Sequence, residues 1–343
     1  MEKEIIRKGR LLRESGKLDE AGWARSLIKT YKRRQVKAGR LRIKEWDYYL
    51  ITDGKRGIAM TIADNGYMGM YSVSWLDFEV PEETTKSVMT VLPMGRTEMP
   101  SDSSEGDSVF RNDRLSISFR HEGENRRLRC LFYDFKDGKA LEADLVLSNE
   151  PEDSIVVMTP YPDDEKAFYY NQKINCLKAE GTVRLGTDVY HFSPESASGC
   201  LDWGRGVWTY SNTWYWASAS GVIDGHDVGF NLGYGFGDTS AASENAFFLD
   251  GKIHKLDRIE FRIPRKAGKD EFMTTWKITS NDGRFEASFK PLIDRSSHIN
   301  AGLIESDQHQ VFGRFTGRVI LDDGSEMILN DFFGFAEKVK NRW

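Results

Sequence analysis

Cysteine is scarce in this chain: Cys130, Cys176 and Cys200 are the whole complement of its 343 residues. So odd and sparse a set offers no disulfide framework and no zinc-ligand spacing, and it fits a reducing compartment. Long apolar runs are missing as well. No window approaches the ~18 apolar residues of a membrane span, and Met1-Glu2-Lys3-Glu4-Ile5-Ile6-Arg7-Lys8 lacks the apolar stretch of a signal peptide, so the chain reads as cytoplasmic with no transmembrane segment. Neither sign of charge dominates. With 53 acidic and 48 basic residues the formal net charge is -5, which supplies no global attraction for nucleic acid or an anionic membrane. His226, His254, His298 and His309 are scattered without metal-ligand spacing, and no metal or cofactor is expected. No Gly-Lys pair is followed by Ser or Thr, which excludes a P-loop, and no GxSxG elbow supports a serine nucleophile.

What is present describes a folded, aromatic-rich chain. Hydrophobic residues make up 39%, charged residues 29% and aromatics 12%, a globular balance long enough for two cores or one large one. Basic residues concentrate from Lys29 to Lys44. They read as the solvated face of a short helix, with peripheral membrane contact through residues 29–44 left open.

Turn punctuation carries the fold class. Asp-Gly recurs at Asp53-Gly54, Asp137-Gly138, Asp224-Gly225, Asp250-Gly251, Asp282-Gly283 and Asp323-Gly324, with Asn65-Gly66 besides, and such pairs suit the positive φ angles of tight hairpins. Between them, Leu115–Arg120, Leu141–Leu147 and Arg284–Phe289 alternate apolar and polar residues as half-buried strands do. The expected fold is therefore all-β and mainly antiparallel, with a short helix over Leu18–Lys37, where Trp23, Leu27 and Tyr31 lie four apart. Pro151, Pro160 and Pro162 among acidic residues mark a boundary. The expected division is a terminal segment at 1–40, a first β-barrel-like domain at 41–160 and a second at 161–343. Each half would hold about eight strands, enough to close a small barrel around one ligand. The oligomeric state is not specified.

Four of the nine tryptophans fall between positions 203 and 216, in Asp202-Trp203-Gly204-Arg205-Gly206-Val207-Trp208-Thr209-Tyr210 and Trp214-Tyr215-Trp216. On a strand, alternate side chains share a face, so Asp202, Trp208 and Tyr210 fall together across Gly204 and Gly206, while Trp203 and Arg205 point the other way. Two glycines beside a carboxylate suggest a hollow for a ligand. The functional reading is an aromatic-walled pocket in which Asp202 gives or takes a proton, its pKa raised if the site is dry. The bland alternative is that the tryptophans fill the core and Asp202 holds a bend. His191, on the preceding strand, is the candidate acid/base partner of Asp202. The candidate substrate-binding set is Trp203, Arg205, Trp208, Tyr210, Trp214 and Trp216. Asn231, Asp238 and Glu244 are possible polar lining around the GxGxG stretch Gly233–Gly237, whose spacing is not that of a dinucleotide loop.

Gly22-Trp23-Ala24-Arg25, Lys44-Glu45-Trp46-Asp47-Tyr48-Tyr49, the Asp202-Trp203-Gly204-Arg205-Gly206 core and Asp331-Phe332-Phe333-Gly334-Phe335-Ala336-Glu337 together resemble the bacterial DUF2804 family over nearly the whole chain. That family name carries no activity. More distantly, the strand richness and the Asp-Trp segment look similar to the double lipocalin-like proteins of the AttH and carotenoid 1,2-hydratase group. That resemblance implies two side-by-side barrels, an apolar ligand and proton-driven hydration or cyclisation of an alkene by an aspartic acid, for which Asp202 is the matching position. The leading expectation is thus an enzyme or carrier for a hydrophobic or amphipathic small molecule. A glycan-binding or carbohydrate-active protein using stacked tryptophans, and a non-catalytic lipid carrier, remain alternatives.

Overall fold

The computed structural model describes residues 2–302 and 304–342. Two antiparallel sheets account for nearly all of it. The first, of 13 strands, follows the order Glu82–Val91, Met68–Asp77, Arg56–Asp64, Ile43–Thr52, Ser198–Val207, Asp164–Leu185, Lys139–Ser148, Asn125–Lys136, Leu115–Glu122 and Ser108–Arg111, with three short strands off this path. The second, of nine, follows Lys252–Lys255, Ala246–Leu249, His226–Tyr234, Ser211–Ile223, Glu326–Arg342, Ile304–Ile320, Phe285–Ala301, Trp276–Ser280 and Ile259–Arg262. Each sheet curls into a half-barrel. In the first, the rings of Tyr71 and Phe110, from near opposite edges of the sheet, stack with centroids 3.5 Å apart.

The turn chemistry explains this regularity. All six Asp-Gly pairs and Asn65-Gly66 join sequence-adjacent antiparallel strands. At Asp137-Gly138, Asp224-Gly225 and Asp250-Gly251 both residues have positive φ, the geometry of hairpin turns whose twist matches that of the flanking strands. Alternation places Leu141, Ala143, Leu145 and Leu147 inside, as it does Phe285, Ala287 and Phe289. One buried cluster, built on Phe230, Phe285, Phe289 and Phe315, lies within the second sheet; the larger one fills the first half-barrel and continues between the sheets through Trp216, Phe312 and Phe335.

One expectation is corrected here. The segment 18–37 is not helical: it forms the strands Gly22–Ala24 and Lys29–Thr30 and a 3-10 turn at Arg33–Gln35. Its four-residue apolar spacing arises because Trp23 and Tyr31 are buried one at a time as the segment lies over the first sheet. Trp23 pairs with Val157, and the Tyr31 hydroxyl donates to Glu45 at 2.7 Å. Tertiary pairing overrides local periodicity at such a site. Several basic residues of 29–44 are engaged within the protein: Lys29 with Glu20, Arg33 with Glu45, and Arg42 with Asp164 and the Trp208 carbonyl.

The strand Ser198–Val207 sits at the centre of the first sheet, and the crossing to the second occurs between Val207 and Ser211. The proline-rich stretch belongs to a hairpin, in which Ile155–Tyr161 pairs with the start of Asp164–Leu185. That 22-residue strand ties the first sheet together, pairing with Lys139–Ser148 on one side and Ser198–Val207 on the other.

Candidate functional site at the seam between the sheets

Register decides which side chains meet. Lys173, Asp202 and Tyr48 lie in one row across three strands, and Asn171, Gly204 and Trp46 in the next. All of these side chains face the second sheet. From that sheet come Trp216, opposite Glu337 on one side and Gly233 on the other, and Gln310 beside Glu337.

The seam is polar at its centre and aromatic around it. Lys173 Nζ lies 2.8 Å from Asp202 Oδ2 and 4.0 Å from the centroid of the Trp216 ring. Asn171 Nδ2 donates to Asp202 Oδ1 at 2.6 Å and to the Trp203 carbonyl at 2.8 Å. Glu337 accepts from Trp214 Nε1 at 2.9 Å and from Gln310 Nε2 at 3.1 Å. Glu244 accepts from the Tyr169 hydroxyl at 3.2 Å. Asn231 accepts from Trp216 Nε1 at 2.6 Å and donates to the Glu244 carbonyl at 2.9 Å. Phe236 stacks on Tyr169 with centroids 4.8 Å apart, and Trp208 meets Trp214 edge-on at 5.1 Å.

Burial sets the electrostatics. Asp202, Glu244, Glu337 and Lys173 are all buried, so three carboxyls and one ammonium meet away from water. Loss of hydration raises the Glu337 carboxyl to about 7, with the Asp202 charge pushing the same way against the Trp214 hydrogen bond and the Arg295 and Lys173 charges. Glu244 is raised for the same first reason, aided by Asp202 and opposed by Lys173. The Glu244 carboxyl sits over Gly233, where a Cβ would overlap it, and its Oε1 has no hydrogen-bond partner among the described residues. A buried carboxyl titrating near neutrality can give a proton to a bound molecule and take one back.

The structure thus brings together Asp202, Trp208, Trp214, Trp216, Asn231 and Glu244. It does not bring in the others. His191 is exposed and pairs with Thr182, nine positions further along the long strand than Lys173, which faces Asp202. Tyr210 is 52% exposed. Asp238 binds the Ser240 amide at 2.9 Å within a turn. Trp203 and Arg205 lie on the opposite face, as alternation requires: the Arg205 guanidinium stacks on Trp203 at 4.3 Å and binds Asp47 at 3.0 Å and the Pro100 carbonyl at 2.7 Å.

The hollow expected beside Asp202 is filled. A Cβ at Gly204 would overlap the Trp46 indole, which folds across the glycine from the adjacent strand, and one at Gly206 would press on the Phe168 carbonyl. These glycines admit protein atoms. The residues that sequence reasoning missed are Lys173, Asn171, Tyr169, Gln310 and Glu337. A signal existed for the first two, since Asn171-Gln172-Lys173 is a polar run set directly after the apolar stretch Ala167-Phe168-Tyr169-Tyr170.

Two curled antiparallel half-barrels meeting at a polar seam define a double lipocalin-like architecture. The crystal structure of a protein provisionally assigned as AttH, from Nitrosomonas europaea, shares it with a TM-score of 0.52 at 11% identity, covering 92% of this chain and 97% of that one. Kievitone hydratase from Nectria haematococca aligns with a TM-score of 0.49 at 12% identity over 88% of both chains. No curated protein sequence matches. The chain belongs to the family described as a domain of unknown function (DUF2804), whose model matches residues 2–343. Among the described residues, no helix is long and apolar enough to cross a membrane.

Proposed function

We propose that the chain binds a small apolar or amphipathic molecule at the seam and transfers a proton to or from it, in the manner of a cofactor-independent hydratase, lyase or cyclase. The observation that carries this reading is Glu337: a carboxyl held between Trp214 and Gln310, raised to about 7, inside an aromatic wall. In the hydration direction Glu337 donates its proton to one carbon of an alkene. The π pair forms the new C–H bond and leaves a cation on the other carbon. Water adds there and its surplus proton returns to the carboxylate. The faces of Trp216 and neighbouring rings stabilise the cation, by about 2 kcal/mol when desolvated. Lys173 pairs with Asp202, and the charge on Asp202 favours the protonated form of Glu337. Asp202, expected from the sequence as the acid, serves in this reading as the fixed counter-charge.

A sugar-stacking groove needs tryptophan faces open to solvent, and Trp203, Trp208 and Trp216 are buried. The test is native mass spectrometry of the purified full chain, with solvent extraction of whatever travels with it. An apolar or amphipathic adduct that is depleted in Trp216→Ala supports the reading. An oligosaccharide adduct, or an apolar one retained equally by Trp216→Ala, overturns it. A bound molecule that Glu337→Gln still holds but no longer converts separates catalysis from carriage.

A further inference from the structure

The other face of the first sheet forms a second interior, separate from the seam. The edge strands Glu82–Val91 and Ser108–Arg111 are consecutive in the chain but lie at opposite ends of the sheet order. Their connection therefore crosses the mouth of the half-barrel as a strap. Its segment Pro100-Ser101-Asp102-Ser103-Ser104-Glu105-Gly106-Asp107 has no large apolar side chain, and Ser101 and Ser104–Asp107 are exposed. Few apolar contacts hold a segment of that composition down.

Two buried guanidiniums hold it instead. Arg205 donates from Nε and Nη2 to the Pro100 carbonyl at 3.1 and 2.7 Å, and Arg126 donates to the Ser103 carbonyl. Ser103 also binds Gln172. Beneath the strap lies a space of about 10 Å³ bordered by Tyr49, Phe119, His121 and Trp203 and by the carboxylates of Asp47, which Arg205 pairs, and Asp102. The Trp203 indole N–H is buried and has no acceptor among the described residues. His121 is held below its usual range, by burial first and by the Arg126 charge second.

We propose that this interior is a second binding site, for a small aromatic monocarboxylate whose oxygens take the places of the Pro100 and Ser103 carbonyls when the strap lifts. Each guanidinium already pairs with one carboxylate, Arg205 with Asp47 and Arg126 with Glu150, and its remaining bond to a neutral strap carbonyl gains strength when a carboxylate oxygen takes that place, because the bond becomes charge-assisted on both sides. Trp203 supplies a further donor and its ring, with Phe119, an apolar wall. The proposal does not depend on the chemistry assigned to the seam.

The test is isothermal titration of the full chain with phenylacetate and with its neutral counterpart 2-phenylethanol, alongside hydrogen exchange of residues 101–107. Phenylacetate is expected to bind more tightly than the alcohol by about tenfold or more, to lose about tenfold in affinity in Arg126→Gln, and to be unaffected by Glu337→Gln. Exchange in the strap should rise on binding to the wild-type chain, a readout that stands even if the arginine variant does not fold. Equal affinity for acid and alcohol, absence of binding, sensitivity to Glu337→Gln alone, or unchanged or slowed strap exchange overturns the proposal.

Discussion

Lys173 and Asp202 form an ion pair, 2.8 Å from Nζ to Oδ2, that the opposite sheet completes by laying the Trp216 ring 4.0 Å from the ammonium. Both partners are buried, so desolvation and mutual attraction oppose each other, and removal of one partner strands the other. Lys173→Met is expected to cost about 3–5 kcal/mol, measured by urea unfolding. The double variant Lys173→Met/Asp202→Leu should recover most of that loss. A double variant as unstable as the single one would show that the pair acts through packing instead.

Glu337 makes stability depend on pH in a direction unusual for a carboxylate. Its folded pKa, about 7, lies above the ordinary value of 4.5, so the folded state keeps a proton that the unfolded state releases between those values. Stability therefore falls as pH rises from about 4.5 to about 7 and levels above, a loss on the order of 3 kcal/mol. Melting temperatures at pH 5 and pH 8 should differ less in Glu337→Gln than in the wild type. An identical difference in both would assign the effect elsewhere.

Gly204 is needed for space, since its backbone is extended and the Trp46 indole occupies the place of a side chain. Gly204→Ala is expected to destabilise by about 1–3 kcal/mol through overpacking. Introduced into Trp46→Leu, the same change should cost less by about 0.5 kcal/mol or more, as coupled neighbours do. Thermal unfolding of the four proteins closes the cycle, and additive effects would contradict it.

Arg205 anchors the strap. Arg205→Lys keeps the charge but loses the planar fork that binds the Pro100 carbonyl twice. Limited proteolysis should then cut within residues 101–107 markedly faster, while the second sheet stays intact. Unchanged cleavage there would mean that other contacts hold the strap.

These relationships explain how much could be read from the chain beforehand. The seven Asp-Gly and Asn-Gly turns and the period-two stretches are local signals, and hairpins are local structures, so the all-β class was legible. The segment 18–37 was not, because Trp23 and Tyr31 are positioned by distant partners, Val157 and Glu45. At the seam, Asp202 and the tryptophans stood out by composition. Lys173 and Glu337 did not, since each becomes significant only when the strand register and the docking of the two sheets set them around one centre. Gly204 misled for a related reason: a glycine announces a close approach without saying whether a ligand or an indole makes it.

Proton transfer at the seam stands or falls with the ionisation of Glu337. With glutamate carbons labelled by ¹³C, the carboxyl resonance lost in Glu337→Gln identifies the group, and its chemical shift can be followed through pH. A midpoint near 7 is expected, moving downward in Asp202→Asn as the neighbouring negative charge is removed. A midpoint at or below the ordinary value of 4.5, unmoved by Asp202→Asn, would contradict it.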